Sequence, residues 1–360
     1  MELGMFMMPL HPPGTDYTSS ISGDLDQITT LDRLGYREAW IGEHFTSEWE
    51  NIPAPDIFIA AALERTTNII LGTGVTCMPN HNPFVLAHRI AQLDHMARGR
   101  FQWGIGTGSF PGDMIVFGYD EDGKDQRAMT IKSVDAVLDL WTDPEPGHYV
   151  NEFFEYHVPE IQSDVGVKVF LKPYQKPHPP IGVAGITPNS STLAMAGARG
   201  WLPMSINLVP TPILVTHWEA FEQGAVKAGR QPDRRDWRIS REVFVAETND
   251  EALAEARTGT MRRDYEDYIF PILAKNNLLS LLKLDPEMPD TAVDVDYMIE
   301  NVWIVGGPEE VAKKLRQLHE DVGGFGVLLT MGHEWSPRDV WEDSFRLLKD
   351  EVQPMLLDLS

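Results

Sequence analysis

Short apolar runs alternate with helical patterns through the first 110 residues of the chain. Each run is too short to form a helix, and each is followed by a segment with apolar residues at helical spacing; the runs lie at 3–8, 39–41, 69–75 and 101–106. Strands joined through helices by short junctions form right-handed βαβ units, in which the strands run parallel. The opening of the chain therefore predicts a parallel α/β sheet.

The strand–helix pattern continues less regularly towards the end of the chain. Four further strands are predicted at 181–184, 202–206, 239–246 and 325–331. Eight alternating strands favour a (β/α)8 TIM barrel, which needs only about 250 residues. Two irregular segments near 144–180 and 258–300 account for the excess as insertions, so we expect one barrel domain over residues 1–360. A doubly wound open sheet is the alternative, because strand order cannot be inferred from one sequence.

The charge balance restricts the partners that the chain can have. It contains 30 basic and 54 acidic residues, and the formal net charge of −24 repels nucleic-acid phosphates and anionic membrane surfaces. No stretch approaches the roughly 20 apolar residues of a membrane helix, and the N-terminus lacks a signal-like region. The single cysteine, Cys77, excludes an intrachain disulfide. We expect a cytoplasmic protein with no nucleic-acid or membrane partner, and a homo-oligomer (dimer or tetramer).

Two familiar patterns do not satisfy the chemistry that they suggest. The glycines of 104–108 approach a dinucleotide-binding loop, but the spacing G-x-G-x-x-G fails because residue 109 is serine. His81, His88 and His95 recur every seven residues, which on a helix places them about 10 Å apart along the axis, too far to share a metal ion. We therefore expect no metal site and interpret these histidines as separate loop and helix-surface residues.

Polar residues follow four of the predicted strands. They are Glu43 and His44, then 76–78, then 107–109, and finally 185–191. In a barrel the carboxyl ends of the strands share one end, where catalytic groups lie, so these residues would line a common site. The turn 185–191 offers hydroxyls and free N–H groups at a helix start, which suits a phosphate, although a purely structural helix cap is the alternative. For His44 the alternative is a surface histidine bonded to Glu43 or to the backbone.

Several segments together resemble the bacterial luciferase-like, flavin-dependent monooxygenase family. They are WIGEH (40–44), GTGV (72–75), NPFVLAHRIAQLDHMARGRF (82–101), WGIGTG (103–108), FGYD (117–120) and VGGPEEVAKKL (305–315). Each segment is weak alone, whereas the set spans most of the chain. The stretches MMPLHPPG and EHFTSEWENIPAPDIFIA are most similar to the limonene 1,2-monooxygenase-like branch. The resemblance implies the barrel fold and a flavin site at the strand exits.

The resemblance also implies roles for individual residues around that flavin. His44 corresponds to the histidine beside the reactive edge of the flavin, and we expect Glu43 to tune it as its catalytic partner. The residues that correspond to cofactor-binding positions are Gly74, Val75 and Thr76 beneath the flavin ring, sometimes with a non-proline cis bond, Thr107 and Gly108 at the fourth strand exit, and Gly185, Ser190 and Ser191 at the phosphate turn. The chain departs from the luciferases in having Gly106 where they have a reactive cysteine and Thr107 where they have an arginine.

The family resemblance also implies a function, namely that of the oxygenase in a two-component system with a flavin reductase. Reduced FMN and O2 would transfer one oxygen atom to a small, apolar organic substrate, with Phe6, Met8, Trp40 and Trp103 as candidate apolar lining or core residues. No NAD(P)H-binding loop is present, so a separate NAD(P)H:flavin reductase would supply the reduced FMN. The insertions at 144–180 and 258–300 are candidates for a loop that closes over it. The alternatives are an F420-dependent hydride-transfer dehydrogenase of the same fold and a non-catalytic flavin-binding protein.

Overall fold

The strands and helices follow one another in the alternation that the sequence predicts. The computed structural model describes residues 1–119 and 125–359, so Asp120 of the FGYD segment lies outside the described residues. The strands in these ranges are β1 (Glu2–Met7), β2 (Glu38–Ile41), β3 (Ile70–Thr73), β4 (Thr76–Cys77), β5 (Phe101–Gly106), β6 (Gly147–Val150), β7 (Glu155–Val158), β8 (Ile181–Gly185), β9 (Leu202–Ser205), β10 (Arg238–Arg241), β11 (Val243–Val245), β12 (Ile304–Gly306) and β13 (Val327–Gly332).

The helices in the same ranges cover the outside of the sheet. They are α1 (Tyr17–Leu34), α2 (Pro55–Leu63), α3 (Pro83–Ala97), α4 (Pro111–Phe117), α5 (Gln126–Leu140), α6 (Ser191–Arg199), α7 (Thr211–Lys227), α8 (Asn249–Thr258), α9 (Thr260–Asp264), α10 (Phe270–Lys275), α11 (Val295–Asn301), α12 (Pro308–Val322) and α13 (Arg338–Leu347). A π-helical turn, Tyr265–Ile269, joins α9 to α10. No described helix has both the length and the apolar character needed to cross a membrane.

Eight parallel strands close into a ring, which confirms the (β/α)8 TIM barrel. Their order around the ring is β1, β2, β3, β5, β8, β9, β10 and β13. The ring closes because β1 pairs with β13, for example Met5 with Thr330, and β3 pairs with β5. This closure excludes the open, doubly wound sheet. Outside the ring, β4 pairs with β5, β6 forms an antiparallel hairpin with β7, and β11 pairs with β12.

The side chain of Trp40 on β2 occupies the centre of the barrel. It is fully buried and packs with Phe6, Met204 and Leu329 from other strands. Glycines on the facing strands leave room for its indole: a Cβ at Gly72 would lie 2.6 Å from Trp40 Cε3, and one at Gly182 would lie 2.8 Å from Trp40 Cη2. Small residues opposite a large one fill a barrel interior without voids or clashes.

A buried ion pair lies below the indole, towards the amino ends of the strands. Arg238 Nε donates to Glu38 Oε1 at 2.9 Å, and Trp40 Nε1 donates to the same oxygen at 2.8 Å. Both charged side chains are at most 2% exposed. A buried charge pair of this kind is tolerated because each partner satisfies the other by hydrogen bonds. Trp40 is therefore held in position as well as enclosed.

The structure corrects two details of the sequence-based assignment. The seventh predicted strand, 239–246, is interrupted at Glu242, whose side chain hydrogen-bonds across the barrel end, and only β10 belongs to the ring. Trp103 on β5 was a candidate for the apolar site lining, but it faces the helices, where its ring lies 5.3 Å from that of Trp141. Trp40 likewise belongs to the interior core, which was the alternative for both residues.

The two irregular segments lie at different places on the barrel. The segment 144–180 carries the β6–β7 hairpin and packs on the outer helices, where Gln175 Nε2 donates to Asp94 Oδ1 on α3 at 2.6 Å. The segment 258–300 carries α9, the π-helical turn, α10 and α11, and it reaches the strand exits. There Arg263 Nη2 donates to the backbone oxygen of Leu10, just beyond β1, at 3.1 Å. Only the second segment is positioned to cover the end of the barrel.

Enlarging Gly182 should destabilise the fold, because the new Cβ has no room beside Trp40. We expect Gly182→Ala to lower the free energy of unfolding by about 1–3 kcal/mol, the usual cost of overpacking a core. Gly23→Ala is the matched control, because this glycine lies inside α1, a new Cβ there would come no closer than 3.8 Å to Trp335 Nε1, and alanine favours a helix. Urea unfolding of both variants measures the difference. A Gly182→Ala protein as stable as Gly23→Ala would contradict the tight packing around Trp40.

Candidate active site

His44 lies beyond the carboxyl end of β2 with carboxylates on two sides. Its Nε2 is 3.0 Å from Glu50 Oε2, and its Nδ1 is 3.7 Å from Asp113 Oδ2. Phe110 packs against the ring with centroids 4.5 Å apart. Burial lowers the pKa of His44, but the charge of Glu50 and the interaction with Asp113 outweigh burial and raise that pKa to about 10. The imidazole is therefore a protonated donor at neutral pH.

Asp113 is fixed by the backbone that follows His44. This carboxylate, at the start of α4, accepts hydrogen bonds from Thr46 Oγ1 at 2.6 Å and from the N–H of Phe45 at 3.2 Å. Burial raises the pKa of Asp113, whereas the interaction with the His44 imidazolium and the hydrogen bonds from Thr46 and Phe45 hold it below its ordinary value. The carboxylate thus stays ionised beside the imidazolium. The sequence alone did not identify it, because it lies 69 positions after His44 in another strand–helix unit.

Glu43 does not contact His44, contrary to the expected pairing. Its carboxylate binds His81, with His81 Nε2 at 2.9 Å from Oε1 and 3.1 Å from Oε2. Neighbouring side chains on an extended chain project to different sides, which separates the two residues. Burial raises the pKa of Glu43 although His81 opposes the shift. Glu50 and Asp113 therefore take the place expected for Glu43, and His81 belongs to the strand exits rather than to an unrelated loop.

The backbone between β3 and β4 forms one wall of the site. The peptide bond between Gly74 and Val75 is cis, at the position where the family resemblance allows such a bond. A Cβ on Gly106 would lie 2.3 Å from Val75 Cγ2, so a cysteine does not fit there without displacing Val75. The hydroxyl of Thr76 accepts a hydrogen bond from Trp103 Nε1 at 3.2 Å and faces the helices. Thr76 can therefore serve the site only through its backbone.

Two amide side chains lie at the exit of β5: Gln126 is hydrogen-bonded there, whereas Asn80 has no hydrogen-bond partner. Gln126 Nε2 donates to the backbone oxygens of Thr107 at 3.2 Å and Gly108 at 3.0 Å, which ties this exit to α5. Gly108 has φ +70, and a Cβ on it would face the side chain of Asn80 at 3.4 Å. Asn80 Nδ2 and Oδ1 are both buried with no hydrogen-bond partner in the structure. A donor and an acceptor side by side match the imide edge of a flavin ring.

The turn after β8 caps the start of α6 and also forms a candidate anion site. Ser190 Oγ accepts a hydrogen bond from the N–H of Leu193 at 3.3 Å and caps α6, which is the structural alternative considered for it. Ser191 Oγ accepts from Arg127 Nη1 at 3.3 Å. Gly185 is required by packing, since a Cβ on it would lie 2.4 Å from Leu193 Cδ1. Arg127 on α5, a residue that the sequence did not single out, thus places a guanidinium at this turn, whereas residue 107 is threonine.

A second buried ionic cluster lies beyond β13. His333 Nδ1 is 2.7 Å from Asp264 Oδ2, and its Nε2 is 2.5 Å from Glu242 Oε2. Burial lowers the pKa of His333, but both carboxylates raise it, to about 10. Arg263 extends the cluster by donating to Glu334 Oε2 at 2.6 Å. The rule that ionisable residues follow barrel strands would have identified His333 and Glu334 if it had been applied to the last strand.

Comparison with known proteins identifies relatives over the whole length of the chain. The luciferase-like monooxygenase family model matches residues 1–323. A 4-hydroxyprotoasukamycin monooxygenase from Streptomyces nodosus subsp. asukaensis is 35% identical, over 98% of this chain and 92% of that protein. A limonene 1,2-monooxygenase from Rhodococcus erythropolis is 31% identical, over 98% of this chain and 86% of that protein.

A solved structure agrees with these sequence relatives. It is the oxygenating constituent of 3,6-diketocamphane monooxygenase from Pseudomonas putida in complex with FMN, with a TM-score of 0.92, 29% identity and 99% of both chains covered. An F420-dependent hydroxymycolic acid dehydrogenase matches less of the chain, 62%, at 27% identity. Similarity is thus more extensive to the monooxygenases than to that dehydrogenase.

Removing the charge of Glu50 should lower the pKa of His44, because that charge is a main cause of its elevation. Titration of the imidazole by NMR in Glu50→Gln measures the change, and Glu48→Gln, an exposed neighbour, should leave the titration unaltered. Since the folded pKa lies above the ordinary 6.5, the pairing stabilises the fold fully below pH 6.5 and loses this effect as pH rises through about 10. The stability difference between wild type and Glu50→Gln should disappear over that window. An unchanged His44 titration in Glu50→Gln would remove Glu50 from this role.

Proposed function

Because the chain belongs to the luciferase-like monooxygenase family, we propose that it is the FMN-dependent oxygenase of a two-component system. When bound, reduced FMN would supply the two electrons and two protons with which O2 could transfer one oxygen atom to a small organic substrate and leave the other as water. The observation that carries the proposal is the position of His44 at the β2 exit, between the carboxylates of Glu50 and Asp113 and beside the wall formed by the backbone of Gly74 and Val75 and by Gly106.

The described residues fit FMN at three points. The unpaired amide of Asn80 can bind the imide edge of the ring, and the backbone of Gly74 and Val75 can pack beneath the ring, as their family positions imply. Arg127 and Ser191 can bind the phosphate at the start of α6, where helix N–H groups also favour an anion. Thr107 and Gly108 could approach the ring only through backbone groups other than their carbonyl oxygens, which accept from Gln126.

His44 would act as a donor rather than as a base. Both ring nitrogens carry a proton at neutral pH, and Nε2 is held by Glu50. The Nδ1–H can therefore stabilise negative charge that develops on oxygen near the reacting edge of the cofactor, or pass a proton to it. Asp113 and Glu50 keep the imidazolium oriented, and their negative charges favour reprotonation of the ring after it has given up a proton. A non-catalytic flavin-binding protein has no need of such a group.

The segment 258–300 is the proposed cover of the site. Tyr268 on the π-helical turn hydrogen-bonds Glu50 and lies 3.1 Å from Ser47 Oγ, and Trp49 stacks on its ring at 5.3 Å. These contacts connect the segment to the loop that carries His44. A closed cover excludes water while oxygen is transferred. The segment 144–180, the other candidate, makes polar contacts with the outer helix α3, through Gln175 to Asp94 and through the backbone oxygen of Lys172 to His95.

Three further parts of the proposal concern the reductase partner, the cellular location and the oligomeric state. No described strand exit has the glycine spacing of a dinucleotide site, and we propose that a separate NAD(P)H:flavin reductase supplies reduced FMN. Cys77 is buried and unpaired, which suits a reducing compartment such as the cytoplasm. A homo-oligomer, dimer or tetramer, remains a prediction. Oxygen uptake separates this proposal from the F420-dependent alternative, which transfers hydride without oxygen.

Replacing Arg127 should weaken binding of the FMN phosphate specifically. We expect Arg127→Gln to reduce FMN affinity about 10- to 100-fold, the scale of a lost hydrogen bond to a charged group, and to leave riboflavin affinity unchanged. Fluorescence titration measures both ligands. Arg37→Gln, at the opposite end of the barrel before β2, is the matched control. Equal losses for FMN and riboflavin would place the phosphate elsewhere.

Replacing His44 should separate oxygen consumption from substrate oxidation. The protein is loaded anaerobically with reduced FMN and mixed with O2, with limonene and 3,6-diketocamphane as trial substrates, while the absorbance of oxidised FMN and the release of hydrogen peroxide are followed. We expect wild type to delay the return of oxidised FMN relative to free FMN. His44→Gln should shorten that delay and release more peroxide, and oxidation of any accepted substrate should fall about 10²- to 10⁴-fold. If wild type gives no delay and no oxygenated product, the oxygenase assignment fails.

A further inference from the structure

Two tyrosines of the π-helical turn Tyr265–Ile269 each hydrogen-bond a carboxylate at the end of the barrel. Tyr265 Oη donates to Glu242 Oε1 at 2.9 Å, and Tyr268 Oη donates to Glu50 Oε1. Glu242 follows β10, whereas Glu50 lies in the loop after β2, so one turn of the cover reaches two separate strand exits. π-helical turns are rare and occur frequently at functional sites, which makes these two contacts candidates for a role in the reaction.

Each of these carboxylates also pairs with a histidine through its second oxygen. Glu242 Oε2 lies 2.5 Å from His333 Nε2, and Glu50 Oε2 lies 3.0 Å from His44 Nε2. The turn therefore contacts two imidazoles indirectly, with one carboxylate between each phenol and each ring. A side chain that is held by a second hydrogen-bonded side chain has fewer orientations available, which is how supporting residues set the geometry of an active site.

Tyr265 belongs to the fixed end of the turn. Beside it, Asp264 Oδ2 lies 2.7 Å from His333 Nδ1, and Thr260 Oγ1 accepts a hydrogen bond from Trp341 Nε1 at 3.0 Å. Asp264 and Tyr265 are both fully buried. Separating this end from the barrel would leave buried charged groups without partners, which is unfavourable. This part of the chain is therefore anchored.

Tyr268 lies at the more open end of the same turn. Its ring stacks on that of Trp49 with centroids 5.3 Å apart, and its hydroxyl is also 3.1 Å from Ser47 Oγ. Trp49 and Ser47 are partly exposed, and most of residues 269–291 are partly or fully exposed. Local opening begins where few buried contacts hold a segment. We therefore expect the cover to separate from the barrel at Tyr268 first.

We infer that Tyr268 is the positioning residue of His44, acting through Glu50, while Tyr265 keeps the turn in place through Glu242. The inference rests on the proposed function, in which this histidine is the proton donor, and it adds the residue that orients the donor. The Tyr268 hydroxyl fixes the Glu50 carboxylate, and this carboxylate restricts the orientation of the imidazole. Closing the cover thus also aligns the donor.

An aromatic ring beside each imidazole makes the position of that imidazole measurable. The ring centroids of His44 and Phe110 are 4.5 Å apart, and those of His333 and Trp341 are 5.3 Å apart. A neighbouring aromatic ring shifts the NMR resonances of an imidazole by an amount that depends on their distance and angle. The whole protein without flavin, selectively labelled on histidine, therefore reports the positions of both rings without requiring turnover.

Replacing each tyrosine by phenylalanine removes one hydroxyl and keeps the ring. We expect Tyr268→Phe to shift or broaden the His44 resonances and to leave those of His333 unchanged, because the two hydroxyls bind different carboxylates. Tyr265→Phe should do the opposite. Tyr174→Phe, at an exposed position of the other insertion, is the matched control and should change neither histidine.

Hydrogen exchange tests the difference between the anchored and the open end of the turn. In wild type we expect the amides of 260–265 to exchange more slowly than those of 266–275, a comparison that needs no variant. Tyr268→Phe should accelerate exchange in 266–275 about tenfold, the change that one hydrogen bond produces, and leave 260–265 unaltered. Mass spectrometry of peptides from the two ranges measures the rates. Equal protection of the two ranges in wild type would show that the turn moves as one unit and would overturn the inference.

The histidine resonances can also contradict the inference directly. His44 resonances that are the same in Tyr268→Phe and in wild type would leave Tyr268 as a packing residue. A change of equal size in Tyr265→Phe or Tyr174→Phe would do the same, because it would be a general effect of losing a hydroxyl group.

Peroxide release separates the inference from the proposed function. With reduced FMN and O2, Tyr268→Phe should release more hydrogen peroxide than wild type, while its FMN affinity stays unchanged. If His44→Gln alters peroxide release and Tyr268→Phe does not, the inference fails and the proposed function stands. If neither variant alters it although Tyr268→Phe moves the His44 ring, the proposed role of His44 as donor fails instead.

Discussion

The packing of Trp40 inside the barrel is the constraint on which the positions of the strands depend. Its indole lies against glycines of β3 and β8, and its Nε1 is fixed by Glu38, which Arg238 holds from across the barrel. The contacts set how closely these strands approach one another. His44, the Gly74–Val75 bond and Gly185 lie at the carboxyl ends of the same strands. The packing around Trp40 therefore also fixes the relative positions of these site residues.

Above that core, the site is organised by positive groups within an acidic protein. The formal charge of the chain is −24, yet His11, His44 and His333 each have a pKa well above 6.5. In each case burial opposes the proton and paired carboxylates retain it, so the charge is an effect of local contacts and not of overall composition. Imidazolium groups can accordingly lie at the strand exits of a chain whose overall charge repels anions.

The sequence predicted the barrel well because each strand is a local pattern. The runs at 3–8 and 101–106 became β1 and β5 with shifts of at most one residue at either end, and the excess length fell in the two irregular segments. Side-chain partners could not be predicted in this way. His81 with Glu43, Arg127 with Ser191, and Tyr268 with Glu50 join residues 38, 64 and 218 positions apart, and such pairs depend on how separate units pack. Hence His44 was identified and its carboxylate partners were not.

The proposed cover of the site and the proposed proton donor, His44, contact the same residue. Glu50 holds the proton-bearing ring of His44 on one side and accepts the phenol of Tyr268 on the other. Opening of segment 258–300 would remove that phenol and expose Glu50 to water, which screens its charge and weakens its hold on the imidazolium. In the proposed function, the cover and the proton donor therefore share one carboxylate. Loss of the Tyr268 contact would act on His44 through Glu50, while Asp113 would still lie on the other side of the ring.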